Sequence, residues 1–259
     1  MSWLDDFWRF VWLRPGLDAS GAEWRACLGE ERWSILRGQL FTGHGVTPVY
    51  RRASDNRQLN VVVSKGVRRL VCVTTGSVEA ADIQEDDVQR YRLDPTALRD
   101  MIAEALDVVA EPGMVRGVPH AFPLGDWQPL DAVTIPAFLM LPPTTKLLGS
   151  EIQRLLLEVA GGFILLVPQR PRLDARLRDQ LDRRQAAVIP LPEVVAWNGE
   201  QFCAAPGWNR HREAYCTKHH ADRMVPAPPP YEFRKTGDYW TVRFDGEFTT
   251  IKDAVGPSY

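Results

Sequence analysis

Between residues 131 and 205, three short runs of continuously apolar residues alternate with two amphipathic segments. The runs are AVTIPAFLML, GFILLVPQ and AAVIPL, and the segments between them are TTKLLGSEIQRLLLEVA and LDARLRDQLDRRQ. A strand that is apolar throughout is buried on both faces, which is typical of a parallel sheet whose strands are joined by helices. These residues therefore predict a three-stranded parallel α/β unit.

Residues 1–111 predict a different architecture, an α+β unit with an antiparallel sheet. Apolar residues at three- and four-residue steps indicate two amphipathic helices at the N-terminus. From Pro48 to Leu93 the apolar period changes to two, which indicates short strands. Asp94-Pro95 then begins a helix, because aspartate is a good N-cap and proline suits the first turn. Residues 112–130 are rich in Gly and Pro and predict a linker.

The two N-terminal helices are rich in tryptophan. With Trp33 added, they carry more aromatic surface than one helix pair normally buries. We therefore predict that Trp3, Trp8 and Trp12 form a face that contacts a partner protein, together with Trp240 of the C-terminal segment. The alternative is that the N-terminal rings cover the core of the sheet that follows.

Composition limits the location and the partners of the chain. A formal net charge of −2 gives no overall attraction to nucleic acid or to anionic membranes. The apolar N-terminal stretch is interrupted by Asp5, Asp6 and Arg9, so it predicts neither a signal peptide nor a membrane span. The cysteines are few and widely scattered, which fits a reducing compartment. We expect a cytoplasmic protein with no membrane partner.

A proline-rich stretch separates the last segment from the rest of the chain. Residues 206–230 predict a loop and a hinge that ends in PAPPP. In residues 231–259, alternating runs are broken at Thr236-Gly237-Asp238 and at Asp245-Gly246. Short β-type runs joined by tight turns predict a β-meander.

This C-terminal segment resembles a hairpin of bacterial multidomain regulators. The shared phrase is F-R-x-x-G-D-x-W-x-V-x-[FY]-x-G-x-x-x-x-[IL]-K-D-x-x-G-x-x-Y. The matching residues are Phe233, Arg234, Gly237, Asp238, Trp240, Val242, Phe244, Gly246, Ile251, Lys252, Asp253, Gly256 and Tyr259. In that family the hairpin leads into a winged-helix-like module, so the resemblance implies a bacterial regulator. Since the sequence ends at Tyr259, where the family's helix begins, we expect a truncated module.

The carboxyl ends of the predicted parallel strands are where ligands gather in an open α/β sheet. Thr144, Thr145 and Lys146 open the first helix of this unit, where free backbone N–H groups favour an anion. Arg170 follows the next strand. The four residues predict a site for a phosphate or a carboxylate. The alternative is that a threonine caps the helix and the prolines shape the turn, because no glycine-rich phosphate-binding motif is present.

A second candidate site combines cysteine and histidine. Cys203, His211, Cys216 and His220 are predicted zinc ligands, because thiolate and imidazole are the ligands that zinc prefers. The spacing lacks the paired C-x2-C of common zinc sites. A cysteine beside a histidine could instead form the reactive pair of a thiol enzyme. The remaining interpretation is a loop with a partly buried cysteine and surface histidines.

The segment LDARLRDQLDRR combines several arginines with Asp174, Asp179 and Asp182. Asp179 and Arg183 have the i,i+4 spacing of a surface ion pair. Because the charges offset one another, the segment predicts the solvated outer face of a helix that covers the sheet.

The sequence contains none of the common catalytic motifs. We therefore predict a non-enzymatic bacterial regulatory or protein-interaction component with an unidentified protein partner. One alternative is a DNA-associated regulator that acts through the C-terminal module. The other is a metal-dependent or thiol enzyme centred on the segment from Cys203 to His220.

Overall fold

The structure is a computed structural model. It describes residues 2–51, 57–64, 67–72, 74–79, 84–108, 113–130, 133–141, 144, 146–221, 231–236, 239–244 and 247–252.

The N-terminal region is a mixed α+β arrangement with antiparallel sheets, as predicted. Its helices are α1 (Trp3–Leu13), α2 (Gly21–Leu28), α3 (Glu30–Leu40), α4 (Glu85–Val88) and α5 (Pro95–Ala105), and a short 3-10 turn (Pro15–Leu17) follows α1. Its strands are β1 (Asp18–Ser20), β2 (Phe41–Val46), β3 (Val49–Arg51), β4 (Gln58–Ser64), β5 (Val67–Cys72), β6 (Val78–Glu79) and β7 (Gln89–Leu93). The strands form two sheets, with the orders β1-β7-β2 and β3-β4-β5-β6.

Side-chain caps explain where several of these helices begin. Ser2 and Asp5 form a capping box at α1, and Ser20 and Glu23 form one at α2. The predicted Asp94 cap is confirmed, since its carboxylate accepts hydrogen bonds from the first turn of α5. Each cap satisfies backbone N–H groups that the helix itself leaves without partners.

The central region contains the predicted parallel sheet. Its elements are β8 (Ala121–Leu130), β9 (Val133–Met140), α6 (Leu148–Glu158), β10 (Ile164–Val167), α7 (Ala175–Arg183) and β11 (Ala187–Pro190). The sheet order is β11-β10-β9-β8, and β10 pairs in parallel with both β9 and β11. The prediction of three parallel strands joined by helices is confirmed.

The predicted linker at residues 112–130 contains a strand. β8 pairs antiparallel with β9 along the edge of the sheet, with irregularities at Pro123/Gly125 and Trp127/Leu130. Prolines and bulges are tolerated on edge strands because one side of such a strand has no ladder partner. These same features remove the regular alternation by which a strand is recognised in sequence, so this stretch was wrongly interpreted.

Both faces of the parallel sheet are covered, which makes three layers. Along β10, Ile164 and Leu166 belong to one core cluster, while Leu165 and Val167 belong to another. The first cluster includes buried residues of α1, α2, α3 and α5, and the second includes those of α6 and α7. The N-terminal helices therefore share their core with the parallel sheet.

The chain continues beyond β11 through α8 (Leu191–Val194), β12 (Val195–Trp197), β13 (Phe202–Ala204) and α9 (Pro206–His219). α9 corrects the loop that was expected from residue 206. Its sequence is polar over most of its length, and two of its buried side chains, Trp208 and Tyr215, are seven residues apart. So sparse an apolar stripe gives a weak helical pattern.

Two compact units are distinguished by their contacts, Met1–Tyr215 and Cys216–Tyr259. This division differs from the five segments expected from the sequence, because the shared core joins the N-terminal and central regions. The second unit contains the predicted meander, with β14 (Tyr231–Thr236), β15 (Tyr239–Phe244) and β16 (Glu247–Lys252) paired antiparallel in that order. Among the described residues, no helix is long and apolar enough to cross a lipid bilayer.

Candidate functional site

A cleft opens beside the carboxyl end of β10, in the region where the sequence predicted a ligand site. Its volume is about 410 Å³, and it is lined by Trp12, Leu148, Gly149, Arg170, Pro171, Arg172, Leu173, Asp174 and Leu177. α6 begins beside this cleft without a side-chain cap. The start of α7 is capped by Asp174, whose carboxylate accepts a hydrogen bond of 2.7 Å from the Leu177 N–H.

The structure does not bring Thr144, Lys146 and Arg170 together. Arg170 lines the cleft, whereas Thr144 and Lys146 are exposed and do not. Thr145 lies outside the described residues. The alternative of a threonine cap does not apply to Thr144, because Leu147 is the N-cap of α6 and donates its N–H to the Thr144 carbonyl in the preceding turn.

Arg170 forms an ion pair with Glu193, a carboxylate that the sequence analysis did not single out. Its guanidinium lies 2.6 Å from Glu193 Oε1, and His211 Nε2 lies 2.9 Å from Glu193 Oε2. Burial favours a higher pKa for Glu193, but the hydrogen bonds from Arg170 and His211 outweigh it and lower the pKa below its ordinary value. No serine, threonine or cysteine side chain in the described part of the chain hydrogen-bonds to His211. Arg170, Glu193 and His211 therefore link the segment after β10 to α8 and α9. Among the described residues, the group contains no nucleophilic side chain.

A buried carboxylate on α6 was also missed by the sequence interpretation. Glu151 is 3% exposed, and its Oε1 pairs with Arg154 at 3.1 Å. Its Oε2 lies 3.7 Å from His120 Nδ1, too far for a hydrogen bond, and neither atom has another partner. The sequence did carry a signal for the burial of Glu151. It lies with Leu148, Ile152 and Leu155 at the helical spacing of a buried stripe.

The Cys/His residues are not assembled into a metal site. Within the described ranges, no group of three or more His, Cys, Asp or Glu side chains could hold a metal ion. Cys203 lies half-buried on β13, whereas His211 lies on α9 and is held by Glu193. Cys216 is buried on α9, five residues beyond His211 and about 140° around the helix from it. His220 lies just beyond the end of α9.

The N-terminal tryptophans pack inward, as the alternative interpretation held. Trp8 is fully buried and stacks on Phe202, with ring centroids 5.8 Å apart. Trp3 is half-buried against Trp197, and Trp12 is half-buried beside the cleft. Trp8 therefore offers no surface to a partner, because the sheet needs that apolar cover for its own core. The side chain of Trp240 lies outside the described features.

An acidic junction holds the N-terminal helices to α4. The Asp86 carboxylate accepts hydrogen bonds from Arg25 at 3.0 Å, Arg37 at 3.0 Å and Trp33 at 2.9 Å, and from the hydroxyl of Tyr91. Burial favours a higher pKa for Asp86, but these donors outweigh it and lower the pKa. Burial and the contact with Asp86 raise the pKa of Tyr91 to about 12. Such a closed set of partners indicates a structural role.

Asp87, the neighbour of Asp86, belongs to the same junction. Asp87 is 9% exposed, and its carboxylate lies 2.7 Å from Arg25. Two adjacent carboxylates can lie together here because the guanidinium of Arg25 binds both.

An open groove lies between α6 and α7 in the central region. Its volume is about 550 Å³, and it is lined by Gln153, Leu156, Leu157, Arg176, Gln180, Arg183 and Arg184. Leu157 is 85% exposed, although it lies beside the buried Leu156. α6 therefore buries Leu156 and leaves Leu157 exposed to solvent at the groove.

The groove is basic, and its arginines are mostly free of ion pairs. Three arginines and no carboxylate line it. In this fully described stretch, Arg176 and Arg183 have no ion pair, so the expected contact between Asp179 and Arg183 is not formed. Arg184 donates a hydrogen bond to the Val159 carbonyl. The sequence had suggested that the charges of α7 offset one another. At this surface they do not.

Comparison with known proteins gives no match: neither a family model, nor a curated protein, nor a solved structure is significantly similar to this chain. Function must therefore be inferred from the surfaces and sites of this chain itself.

Proposed function

We propose that this protein is a non-enzymatic bacterial regulatory or protein-interaction component that binds a protein partner in the cytoplasm. The observation that carries the proposal is the groove between α6 and α7, where Leu157 is 85% exposed. Burying such a leucine in an interface would contribute about 1.5–3 kcal/mol. The four free cysteines are compatible with a reducing compartment, and the resemblance of the C-terminal segment to bacterial regulators supports the regulatory role.

The dimensions of the groove favour a short partner segment over a broad flat surface. α6 and α7 are 11 and 9 residues long, so the groove between them can hold about two turns of a helix. Contacts of this size belong to transient complexes more often than to permanent ones. A regulatory component that engages and releases its partner fits this class.

The test is a capture experiment with two matched leucine variants. Leu157→Asp places a charge in the groove, while Leu13→Asp places one on another exposed leucine, 62% exposed at the end of α1. We expect tagged wild-type protein and Leu13→Asp to capture the same partner from the source cells, and Leu157→Asp to lose it. Thermal unfolding should show that both variants remain folded. A partner captured equally by all three proteins would contradict the proposal.

A second candidate function is DNA-associated regulation through the C-terminal meander, which the family resemblance implies. The register favours it, because cross-strand partners share a face of the sheet. Arg234 pairs with Thr241, Arg243 with Glu232, and Lys252 with Tyr239, so positions 234, 243 and 252 share one face. Lys235 pairs with Trp240 and lies on the opposite face.

This candidate predicts DNA binding that weakens steeply with salt, because phosphate contacts release counterions. Arg234→Ala/Arg243→Ala should reduce both the affinity and the salt slope. Lys235→Ala is the matched control and should change them less. If all three basic residues contribute equally, or if no binding is detected at about 50 mM salt, this candidate is wrong.

A further inference from the structure

We propose that the groove between α6 and α7 binds an acidic amphipathic helix of the partner protein. This inference rests on the proposed function and adds the chemistry of the partner. It follows from three properties of the groove: the sign and spacing of its charges, its exposed leucine, and two buried polar atoms that lack partners.

The charges favour a partner that carries carboxylates. Arg176 and Arg183 lie seven residues apart on the same helix and line the same groove. That separation is about two turns, or about 10 Å along the helix axis. Acidic residues spaced by two turns on a partner helix would meet both guanidinium groups. Because no carboxylate lines the groove, a basic partner would gain no such contact and would be repelled.

The leucines favour a partner that carries an apolar stripe as well. Leu157 lies at the groove with 85% of its surface exposed, and Leu156 beside it is 8% exposed. An amphipathic helix binds a groove through apolar residues at i, i+3 or i+4, and i+7, which would cover Leu157. A purely acidic coil would leave this leucine in water, so charge alone does not complete the fit.

Two polar atoms of the lining also lack partners. Gln180 Oε1 and Arg184 Nε are both buried and have no hydrogen bond. A buried donor or acceptor without a partner destabilises the state that contains it. A small shift of these side chains when the groove is filled would let Arg184 Nε donate to a partner carboxylate. After such a shift, Arg184 would be a third arginine for the same kind of ligand.

The test uses the full-length protein and a labelled synthetic peptide as the probe. The peptide is about 16 residues long, with leucines along one stripe and glutamates on its flanks spaced by two turns. One control peptide replaces the glutamates with lysines, and another replaces the leucines with serines. Binding is followed by fluorescence anisotropy at about 50 mM and about 300 mM salt, because exposed ion pairs are screened at the higher concentration.

We expect saturable binding of the acidic peptide, and about tenfold weaker binding for Leu157→Asp. The double variant Arg176→Glu/Arg183→Glu should lose the acidic peptide and gain the lysine peptide. Arg210→Glu, on α9 and outside the groove lining, is the control and should behave as wild type. Circular dichroism on each variant would show whether it is folded, and only folded variants are compared.

Three peptide-binding results would overturn the inference. They are equal binding of the acidic and lysine peptides, binding that the groove variants leave unchanged, and no binding of either peptide up to about 1 mM. Concentration-dependent self-association that Leu157→Asp abolishes would also overturn it, because the occupant would then be a second copy of this chain.

The failure of this inference can be separated from the failure of the proposed function. If Leu157→Asp loses the cellular partner while Arg176→Glu/Arg183→Glu keeps it, the groove is an interaction site and its partner is not acidic. If Leu157→Asp keeps the partner, the proposed function itself is wrong.

Discussion

Arginines have two different environments in the N-terminal junction and in the groove between α6 and α7. At the N-terminal junction, Arg25 is largely buried and contacts Asp86, Asp87 and Glu30. In the groove between α6 and α7, Arg176 and Arg183 line an open surface and have no ion pair. A buried charge must be paired to be tolerated, whereas an exposed charge can remain available for a ligand. The surroundings of an arginine, and not its presence, therefore separate the structural role of Arg25 from the binding role proposed for the groove.

Removal of the Asp86 carboxylate tests the structural side of this comparison and should cost the most stability. Asp86→Ala removes the acceptor for two guanidinium groups, an indole and a phenol. We expect the free energy of unfolding to fall by about 3 kcal/mol, because these donors would be left partly buried without a partner. Urea unfolding measures this. Asp179→Ala on α7 is the control and should change stability by less than about 0.5 kcal/mol; equal losses would remove the distinction between the regions.

The next effect tests how closely the junction is packed. A Cβ at Gly21, the first residue of α2, would lie 2.1 Å from the Asp86 carbonyl oxygen. Gly21→Ala should therefore destabilise the protein by about 1–3 kcal/mol. Gly38→Ala is the matched control, because it lies within α3 and has nothing within 4 Å. That substitution should stabilise α3 by about 0.5–1 kcal/mol, and a stabilising Gly21→Ala would contradict the described packing.

The pH dependence of stability should also distinguish the junction. The pKa of Asp86 is lowered in the folded protein, so its contribution is present above its unfolded pKa of about 4 and is lost as the pH falls through the folded value. The pKa of Tyr91 is raised to about 12, so its contribution is present below about pH 10 and is lost between about pH 10 and 12.

Urea unfolding of wild type and Asp86→Asn checks the acid limb. The difference between the two should be largest near neutral pH and should shrink below about pH 4. For the alkaline limb, Tyr91→Phe should lose less stability than wild type between about pH 10 and 12. A difference between wild type and Asp86→Asn that stays constant with pH would show that the carboxylate charge has no part in the junction.

The smallest effect tests the binding side of the comparison. Arg176→Ala/Arg183→Ala should change the free energy of unfolding by less than about 0.5 kcal/mol, because neither guanidinium has an ion pair to lose. Arg25→Ala, by contrast, should be clearly destabilising. If the free energy of unfolding of the double groove variant falls by more than about 1 kcal/mol, Arg176 and Arg183 stabilise the fold and are not free to bind a partner.

The parallel sheet could be predicted because its pattern is local. β9, β10 and β11 are short apolar runs, and α6 and α7 between them have helical spacing. Neither β8 nor α9 could be predicted in the same way. β8 is an irregular edge strand that contains prolines, and its regularity comes from its pairing with β9. α9 carries too few apolar residues for a clear stripe, and Trp208 and Tyr215 are recognised as core only after folding.

The site residues were harder to predict than the fold. Arg170 was singled out for its place after a parallel strand, but its partner Glu193 lies twenty-three residues further on. The charges of α7 were expected to offset one another because Asp179 and Arg183 have the right spacing. Spacing permits an i,i+4 contact without enforcing it, since an exposed pair gains little free energy. The groove depends on how α6 packs against α7. The residue pattern within either helix does not predict that packing.

Patterns among neighbouring residues were enough to predict the three parallel strands, the helices between them, the capped start of α5 and the strands of the C-terminal meander. Their local free energies follow from periodicity, caps and turn residues. Tertiary packing, in contrast, fixed which tryptophans are buried, which carboxylates contact arginine, and which leucine remains exposed in the groove. Those outcomes depend on contacts between residues far apart in the chain, and sequence spacing carries no information about such distances.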